Sequence, residues 1–247
     1  WSASPFELRV DGEHAVGLGA CDIKGAAAAL VTAASKSDGD AAFLFTSDEE
    51  ANDARCIAAF LSGKRRDYDA VFLGLGHNAV NALGCDGEAM AGVESAVDFI
   101  ARLRQAADKG SVPVGRRVVV IGGGNTAIDA ATQAKKLGAA EVTLVYRRGA
   151  EQMSATWKEQ DWTQVNGVTV RHWAQPRRIL GWPANGRGPS VKEVEFEHTQ
   201  LDGQGRLTGT GDHFTVLADQ VFTAIGQYLV PSAFANEAET LDMAGNR

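Results

Sequence analysis

Three groups of residues in this chain have types and spacings that could do chemistry. The first is Gly122-Gly-Gly-Asn-Thr-Ala127, which fits the spacing G-x-G-x-x-G/A. In that pattern Gly122 makes a tight turn, Gly124 lets a pyrophosphate approach the backbone, and a small residue, Ala127, lets a helix pack on a strand. Asn125 and Thr126 then present free N–H groups and the positive end of a helix dipole to the anion. The second group is Arg147-Arg148, about 25 positions beyond Gly122. A preference for NAD normally shows an acid near this place to hold the ribose 2′-hydroxyl, whereas a guanidinium pairs with a 2′-phosphate through charge-assisted bonds. The pair therefore reads as selection of NADP(H). The third group is acidic: Asp22 and the run Asp48-Glu49-Glu50. Carboxylates gathered at strand ends can bridge two cations, ligate one of them, or act as general base toward metal-bound water.

Each group also has a reading without chemistry. Turns between strand and helix use glycine for steric reasons, and a basic pair can be an exposed strand end. A D-E-E run is commonly a solvated turn, with Asp48, Asn52 or Asp53 as a helix cap.

The elements around the glycine turn favour the chemical reading. Arg117-Val-Val-Val-Ile121 is a short continuous apolar run, as expected of a parallel strand covered on both faces. Ala127, Ile128, Ala131, Ala134 and Leu137 recur at helical spacing, and Gly138 stands where a helix ends. Glu141 to Tyr146 predicts the next strand, completing a right-handed βαβ unit. Val168 to Trp173, Val191 to Glu197 and Phe214 to Leu217 predict further strands, with Asp202 to Gly205 as a turn. They are expected to form a small antiparallel meander that returns the chain to a strand at Asp219. Asp69-Ala-Val-Phe-Leu-Gly-Leu-Gly76 and Asp219-Gln-Val-Phe-Thr-Ala-Ile-Gly226 share one pattern and predict two similar strands bracketing the module. Upstream, an alanine-rich helix and an apolar strand at Ala41 to Phe45 frame the acids.

Composition limits the partners. The 247 residues are 45% hydrophobic and 22% charged, which excludes disorder as the main state and permits a sizeable core. With 31 Asp and Glu against 24 Lys and Arg, the net charge of -7 gives no general field for nucleic acid or an anionic membrane. The longest nearly apolar run, Gly25 to Ala34, is far shorter than the about 20 residues of a membrane span. Cys21, Cys56 and Cys85 have no C-x-x-C spacing, which argues against a disulfide framework, a zinc ribbon or an iron–sulfur cluster and fits a reducing cytoplasm. His14, His77, His172, His198 and His213 fall in no ligand motif and are expected at the surface or as satisfied core residues. The chain begins at Trp1 and stops at Arg247 in a polar stretch, so one or both ends are expected to be cut.

From about Tyr68 to Leu229 the chain resembles the pyridine-nucleotide domain of flavin oxidoreductases. These are of the type of the glutamate synthase small subunit and the NAD(P)-dependent dihydropyrimidine dehydrogenase subunit. The motifs are the two bracketing strands, Gly92-Val-Glu-Ser-Ala-Val-Asp-Phe-Ile100, Val118 to Asp129 and Val142-Thr-Leu-Val-Tyr-Arg-Arg148. The resemblance implies an α/β fold with a Rossmann-like parallel sheet and an antiparallel meander, of the two-dinucleotide-binding type. It also implies hydride transfer from NADPH to FAD, electrons passed to a partner subunit, and Ala224, Ile225 and Gly226 near the nicotinamide end. In such proteins the cofactors carry the chemistry and the protein positions them. The FAD-binding βαβ unit and closing Gly-Asp motif of that family have no counterpart here, so NADP(H) is expected to bind and FAD is not.

Residues 1 to about 61 resemble dinuclear zinc deacetylases of the acetylornithine and acetylcitrulline type. The likeness rests on Trp1-Ser-Ala-Ser-Pro-Phe6, Gly19 to Gly25 and Phe45-Thr-Ser-Asp-Glu-Glu50. It implies Asp22 as bridging ligand, Glu49 as general base and Glu50 as ligand to one metal. That family's upstream His-x-Asp and its later carboxylate and His are missing, so a zinc pair is not expected to be held. The expected division is a partial α/β fragment over 1–66, an NAD(P)H-binding domain over 67–230 and a truncated tail over 231–247. The leading function is thus an NADP(H)-binding module of a flavin-dependent oxidoreductase. A zinc-dependent deacetylase fragment stands second. A fused chain without activity stands third, with Tyr68 to Val71 as the crossover.

Overall fold

A strand made of Val118, Val119, Val120 and Ile121 has no polar side chain to show to water, so both its faces must be covered. The computed structural model, which describes residues 9–11, 14–16, 24–36, 79–182 and 190–228, shows how this is done. The chain divides into two compact units, Trp1–Ser47 and Asp48–Arg247. In the first unit, β1 (Arg9–Asp11) pairs antiparallel with β2 (His14–Val16), and α1 (Lys24–Ser35) follows. The strands expected at 41–45 and 69–76, and the expected boundary at 66, lie outside the described residues.

The described part of the second unit begins with β3 (Ala79–Val80), β4 (Val93–Ser95) and α2 (Ala96–Gln105). The βαβ unit follows: β5 (Arg117–Ile121), α3 (Asn125–Lys136) and β6 (Glu141–Val145). Next come α4 (Trp157–Val165) and β7 (Thr169–Arg171), then the long strands β8 (Ala174–Trp182), β9 (Ser190–Leu201) and β10 (Leu207–Leu217). The short strands β11 (Gln220–Thr223) and β12 (Gln227–Tyr228) close the described part. Five strands form one parallel sheet in the order β4-β11-β5-β6-β7. The meander β8-β9-β10 is antiparallel, and β12 pairs antiparallel with β3.

Strand alternation divides β5 between two cores. Val118 and Val120 face a helix-side core with Phe99, Ile128, Ala131 and Phe222. Val119 and Ile121 face a second core with Val194, Phe196 and Val221, roofed by the meander. Phe99 stacks on Phe222 with centroids 4.3 Å apart. Each fully buried valine or phenylalanine contributes about 1.5–3 kcal/mol relative to exposure, so this two-sided burial is what fixes β5 at the centre.

Two elements differ from expectation. Residues 168–173 do not join the meander: Thr169–Arg171 is the parallel edge strand beside β6. The meander's first strand is instead β8, where Pro176, Arg177 and Arg178 hide the strand pattern, and Arg178 pairs with Glu195 at 2.8 Å. The helix α4 was also not legible by periodicity. Only Thr163 is buried on it, while Trp157 stays 72% exposed. Its signal was the capping box Thr156-Trp-Lys-Glu159: the Glu159 carboxylate accepts from Thr156 N at 2.7 Å and Thr156 Oγ1 accepts from Glu159 N.

The start of β11 is held beside β5 by one ion pair. The Asp219 carboxylate accepts from Arg117 N at 2.9 Å, Nε at 3.1 Å and Nη2 at 2.6 Å. The Arg117 side-chain hydrogen bonds hold the Asp219 carboxyl below its ordinary value. Its stabilising contribution is therefore present above the unfolded value near 3.9 and is lost as pH falls through the lower folded value. Asp219→Asn is expected to lower the thermal midpoint at pH 7, with the gap to the parent chain closing below about pH 4; melts across that range check it.

Candidate functional site

The order of the parallel sheet reverses at β5: the chain moves outward to β6 and β7, then returns to β11 on the other side. Ligands of open α/β sheets bind at the carboxyl ends of the strands beside such a reversal. Here the carboxyl ends of β5, β6 and β11 open into a cleft of about 610 Å³.

The glycine turn forms its floor. Gly122 N donates to Val145 O at 3.0 Å, and Ala224 N donates to Ile121 O at 2.8 Å, so the ends of three strands are laced together. A Cβ on Gly122 would collide with the Ala224 carbonyl, a backbone group that cannot step aside. A Cβ on Gly123 would collide with the ring of Tyr146. That ring is anchored, because Tyr146 Oη donates to Gln152 O at 2.8 Å. Gly124 is the N-cap of α3, and no side chain caps that end. The first-turn N–H groups, with Asn125 and Thr126 lining the cleft, are thus left for an anion. Beside Gly124 the nearest atom to an added Cβ is Ser154 Oγ at 3.1 Å, so a methyl group here needs only a small shift of a side-chain hydroxyl. Ala127 is fully buried beneath the turn, as its packing role requires.

One wall is Arg147, at the end of β6, with Gln152 and Ser154. The Arg147 backbone is pinned by Thr199 Oγ1, which donates to Arg147 O at 2.8 Å. The opposite wall is Ala224, Ile225 and Gly226. Gly226 takes φ +101°, a conformation that L side chains rarely adopt, and its carbonyl accepts from Asn81 N at 3.0 Å. Arg147 is the only charged side chain among the described lining residues, so the one formal charge on the cleft lining is positive. No described lining residue is a carboxylate or histidine, and the one lining phenol, Tyr146, donates its O–H to Gln152 O.

The structure thus brings together Gly122, Gly124, Asn125, Thr126, Arg147, Ala224, Ile225 and Gly226. Arg148 is half-buried and does not line the cleft; its Nε is buried without a partner. His172, expected at the surface or as a satisfied core residue, has Nε2 buried and unpartnered. Tyr146, Gln152 and Ser154 were not singled out by sequence. Tyr146 explains why the middle glycine of the turn has no room for a side chain, a contact between strand ends that spacing alone does not reveal. Asp22, Glu49 and Glu50 lie outside the described residues. Among the described residues no group of three His, Cys, Asp or Glu is placed to hold a metal ion.

Fold and site define a Rossmann-like α/β module, with helices on one face of the parallel sheet, an antiparallel meander on the other and a glycine-floored cleft at the reversal point. Residues 26–246 match the pyridine nucleotide-disulphide oxidoreductase family, and the chain belongs to that family. It is 36% identical over 173 residues to the glutamate synthase [NADPH] small chain of Escherichia coli, covering 65% of this chain and 36% of that one. A second likeness, 64% identity over 73 residues, is to N-acetyl-L-citrulline deacetylase of Xanthomonas campestris, covering 30% of this chain and 20% of the relative. The chain therefore spans about a third of one relative and a fifth of the other. FprA of Mycobacterium tuberculosis shares the fold, with a TM-score of 0.55 and 22% identity over 73% of this chain and 55% of that one.

The two glycines should respond differently to a methyl group. Gly122→Ala must push the Ala224 backbone and is expected to cost about 1–3 kcal/mol of stability, whereas Gly124→Ala is expected to cost less than about 1 kcal/mol. Urea unfolding of both variants measures the contrast.

Proposed function

We propose that residues 67–230 are the NADP(H)-binding module of a flavin-dependent pyridine nucleotide oxidoreductase. The observation that carries this reading is the cleft itself. A glycine turn with uncapped helix N–H groups lies between a lone cation, Arg147, and the Ala224–Gly226 wall. The pyrophosphate is assigned to the N–H groups of Asn125 and Thr126, the 2′-phosphate to Arg147 with Arg148, and the nicotinamide to the Ala224, Ile225 and Gly226 end. The unpaired Arg148 Nε supports this fit, because a buried donor without a partner is costly and an incoming phosphate would satisfy it.

When bound, NADPH would supply a hydride, for which the acceptor in this reading would be FAD, with an electron-accepting partner subunit beyond it. The residues of the chain bind and orient. The N–H groups hold the pyrophosphate, the Arg147 guanidinium selects the phosphorylated ribose, and the close Gly122–Ala224 approach sets the distance between the two ends of the site. The absence of a carboxylate or histidine among the described lining residues suits a reaction in which the cofactor carries the chemistry. The glutamate synthase relative is by its name an NADPH-dependent small chain, which supports both the nucleotide and a partner subunit. Among the described residues no helix is long and apolar enough to cross a membrane, and the reading places the protein in the cytoplasm. No described residue is assigned to FAD.

A second reading, a zinc-dependent N-acyl amino acid deacetylase fragment, is favoured by the 64% identity to N-acetyl-L-citrulline deacetylase. It assigns zinc to Asp22 and Glu50, with Glu49 as general base. Less than one tightly held zinc per chain after reconstitution overturns it.

For the leading reading, the protein should bind immobilised 2′,5′-ADP. Arg147→Ala with Arg148→Ala should weaken NADPH about 10- to 100-fold, the range of charge-assisted hydrogen bonds, and NADH far less. Equal losses for the two nucleotides overturn the 2′-phosphate assignment.

A further inference from the structure

Among the described residues two buried side-chain nitrogens have no hydrogen-bond partner, Nε of Arg148 and Nε2 of His172. Such atoms are rare in folded chains, and a pair of them in one place calls for a physical explanation. The two residues lie on neighbouring strand ends. Strands β6 and β7 run parallel with Val145 opposite Arg171. Beyond that register Tyr146 N donates to Arg171 O at 2.9 Å, and Trp173 N donates to Arg148 O at 3.2 Å. His172 sits between these two bonds, so its backbone runs directly alongside residues 146–148.

The side of the sheet follows from alternation. Val168 and Val170 pack in the helix-side core, whereas Arg171 turns the other way, its guanidinium 5.4 Å from the Phe214 ring. His172 therefore returns to the helix side, where Tyr146 covers Gly123. A short 3-10 turn, Ala150–Gln152, closes the same corner: Gln152 Oε1 accepts from Gly149 N at 2.9 Å, and the Glu151 carboxylate lies over Gly149. The backbone is held in place at a cost. Trp173 takes φ 58°, in the left-handed region, which costs a non-glycine residue about 1–2 kcal/mol. Thr199 secures it twice, donating from N to Trp173 O at 2.9 Å and from Oγ1 to Arg147 O at 2.8 Å. One buried threonine thus ties together the two strand ends that carry Arg147, Arg148 and His172.

We propose that His172 is the third side chain of the 2′-phosphate subsite, donating from Nε2 as an imidazolium beside the guanidinium groups of Arg147 and Arg148. The inference rests on the NADP(H) reading and deepens it, because it makes phosphate recognition dependent on a proton. Burial pushes the His172 imidazole below its ordinary value, and the nearby Glu151 carboxylate only partly offsets this. The charged groups around it are Glu151 from the 3-10 turn, Arg147 and Arg148 from the end of β6, and Arg171 on its own strand, which faces the opposite side. Because burial outweighs the Glu151 carboxylate, the free site favours the neutral ring near pH 7. An incoming phosphate dianion reverses that balance, so binding takes up a proton that lands on His172. The same phosphate accepts hydrogen bonds from both orphaned nitrogens once the groups that bury them move aside, because neither Arg148 nor His172 lines the cleft as it stands. NADP(H) would then bind more tightly as pH falls from 8 toward the imidazole range, while NAD(H), with no 2′-phosphate, would not.

Isothermal titration of the full chain at pH 7, in two buffers of different ionisation enthalpy, tests this with 2′,5′-ADP and 5′-AMP as probes. Wild type should take up more protons with 2′,5′-ADP than with 5′-AMP. His172→Gln should remove that excess and weaken 2′,5′-ADP about 5- to 30-fold, with 5′-AMP unchanged. The 2′-phosphate itself titrates near about pH 6, so the difference between wild type and variant is the reading that counts. An NMR titration of the wild-type His172 ring supplies the same answer without a substitution: its pKa should rise on adding 2′,5′-ADP and not on adding 5′-AMP. Equal proton counts in wild type and variant, unchanged 2′,5′-ADP affinity in the variant, or a His172 pKa indifferent to 2′,5′-ADP each overturn the inference alone. Wild type that binds 2′,5′-ADP no more tightly than 5′-AMP overturns the NADP(H) reading beneath it as well.

Discussion

The architecture of the second unit depends on how closely two strand ends can meet. At Gly122 the turn after β5 passes so near the Ala224 carbonyl that no side chain fits between them. Every feature of the cleft is placed by that approach. It lets Ala224 N reach Ile121 O at 2.8 Å, sets the start of α3 directly above the strand ends, and leaves helix N–H groups facing open space. A methyl group there would separate β5 from the segment after β11, and with it the glycine turn from the Ala224–Gly226 wall.

That contact can be maintained only because β5 itself does not move. Its four apolar residues are shared between a helix-side core and a meander-side core, and close packing of this kind resists small displacements. The Asp219–Arg117 pair then aligns β11 with β5 at the opposite end of the strands. The rigid sheet supplies position, whereas the loops at its carboxyl edge supply chemistry, the usual division of labour in α/β proteins. The cleft holds one positive charge among its described lining residues, placed on a strand end whose carbonyl is fastened by Thr199. The backbone dipoles, and the strand end that carries the charge, are therefore fixed before any ligand arrives.

Much of this was legible in the residues. The apolar run of β5, the glycine spacing, the helical recurrence from Ala127 to Leu137 and the strand at Glu141 are local patterns, and local patterns survive in one dimension. What was not legible depended on contacts between distant segments. The parallel placement of Thr169–Arg171 comes from pairing with β6, which periodicity does not encode. The strand β8 carries an outer face of Pro and Arg that balances Glu195 and Glu197 across the meander. The unpaired His172 nitrogen looked like an ordinary satisfied ring, because satisfaction is a property of neighbours and not of residue type. Arg147 and Arg148 were read as one pair, yet the backbone turn after β6 sends only Arg147 to the cleft lining.

The central claim is that the helix N–H groups, the lone lining cation and the Ala224–Gly226 wall act as one nucleotide site. An amide chemical-shift titration of isotope-labelled full chain with NADPH tests it most directly. The account predicts saturable shifts concentrated at Gly124, Asn125, Thr126, Arg147 and Ala224 to Gly226. An unchanged spectrum at millimolar NADPH, or shifts confined to residues outside that cleft, would contradict it.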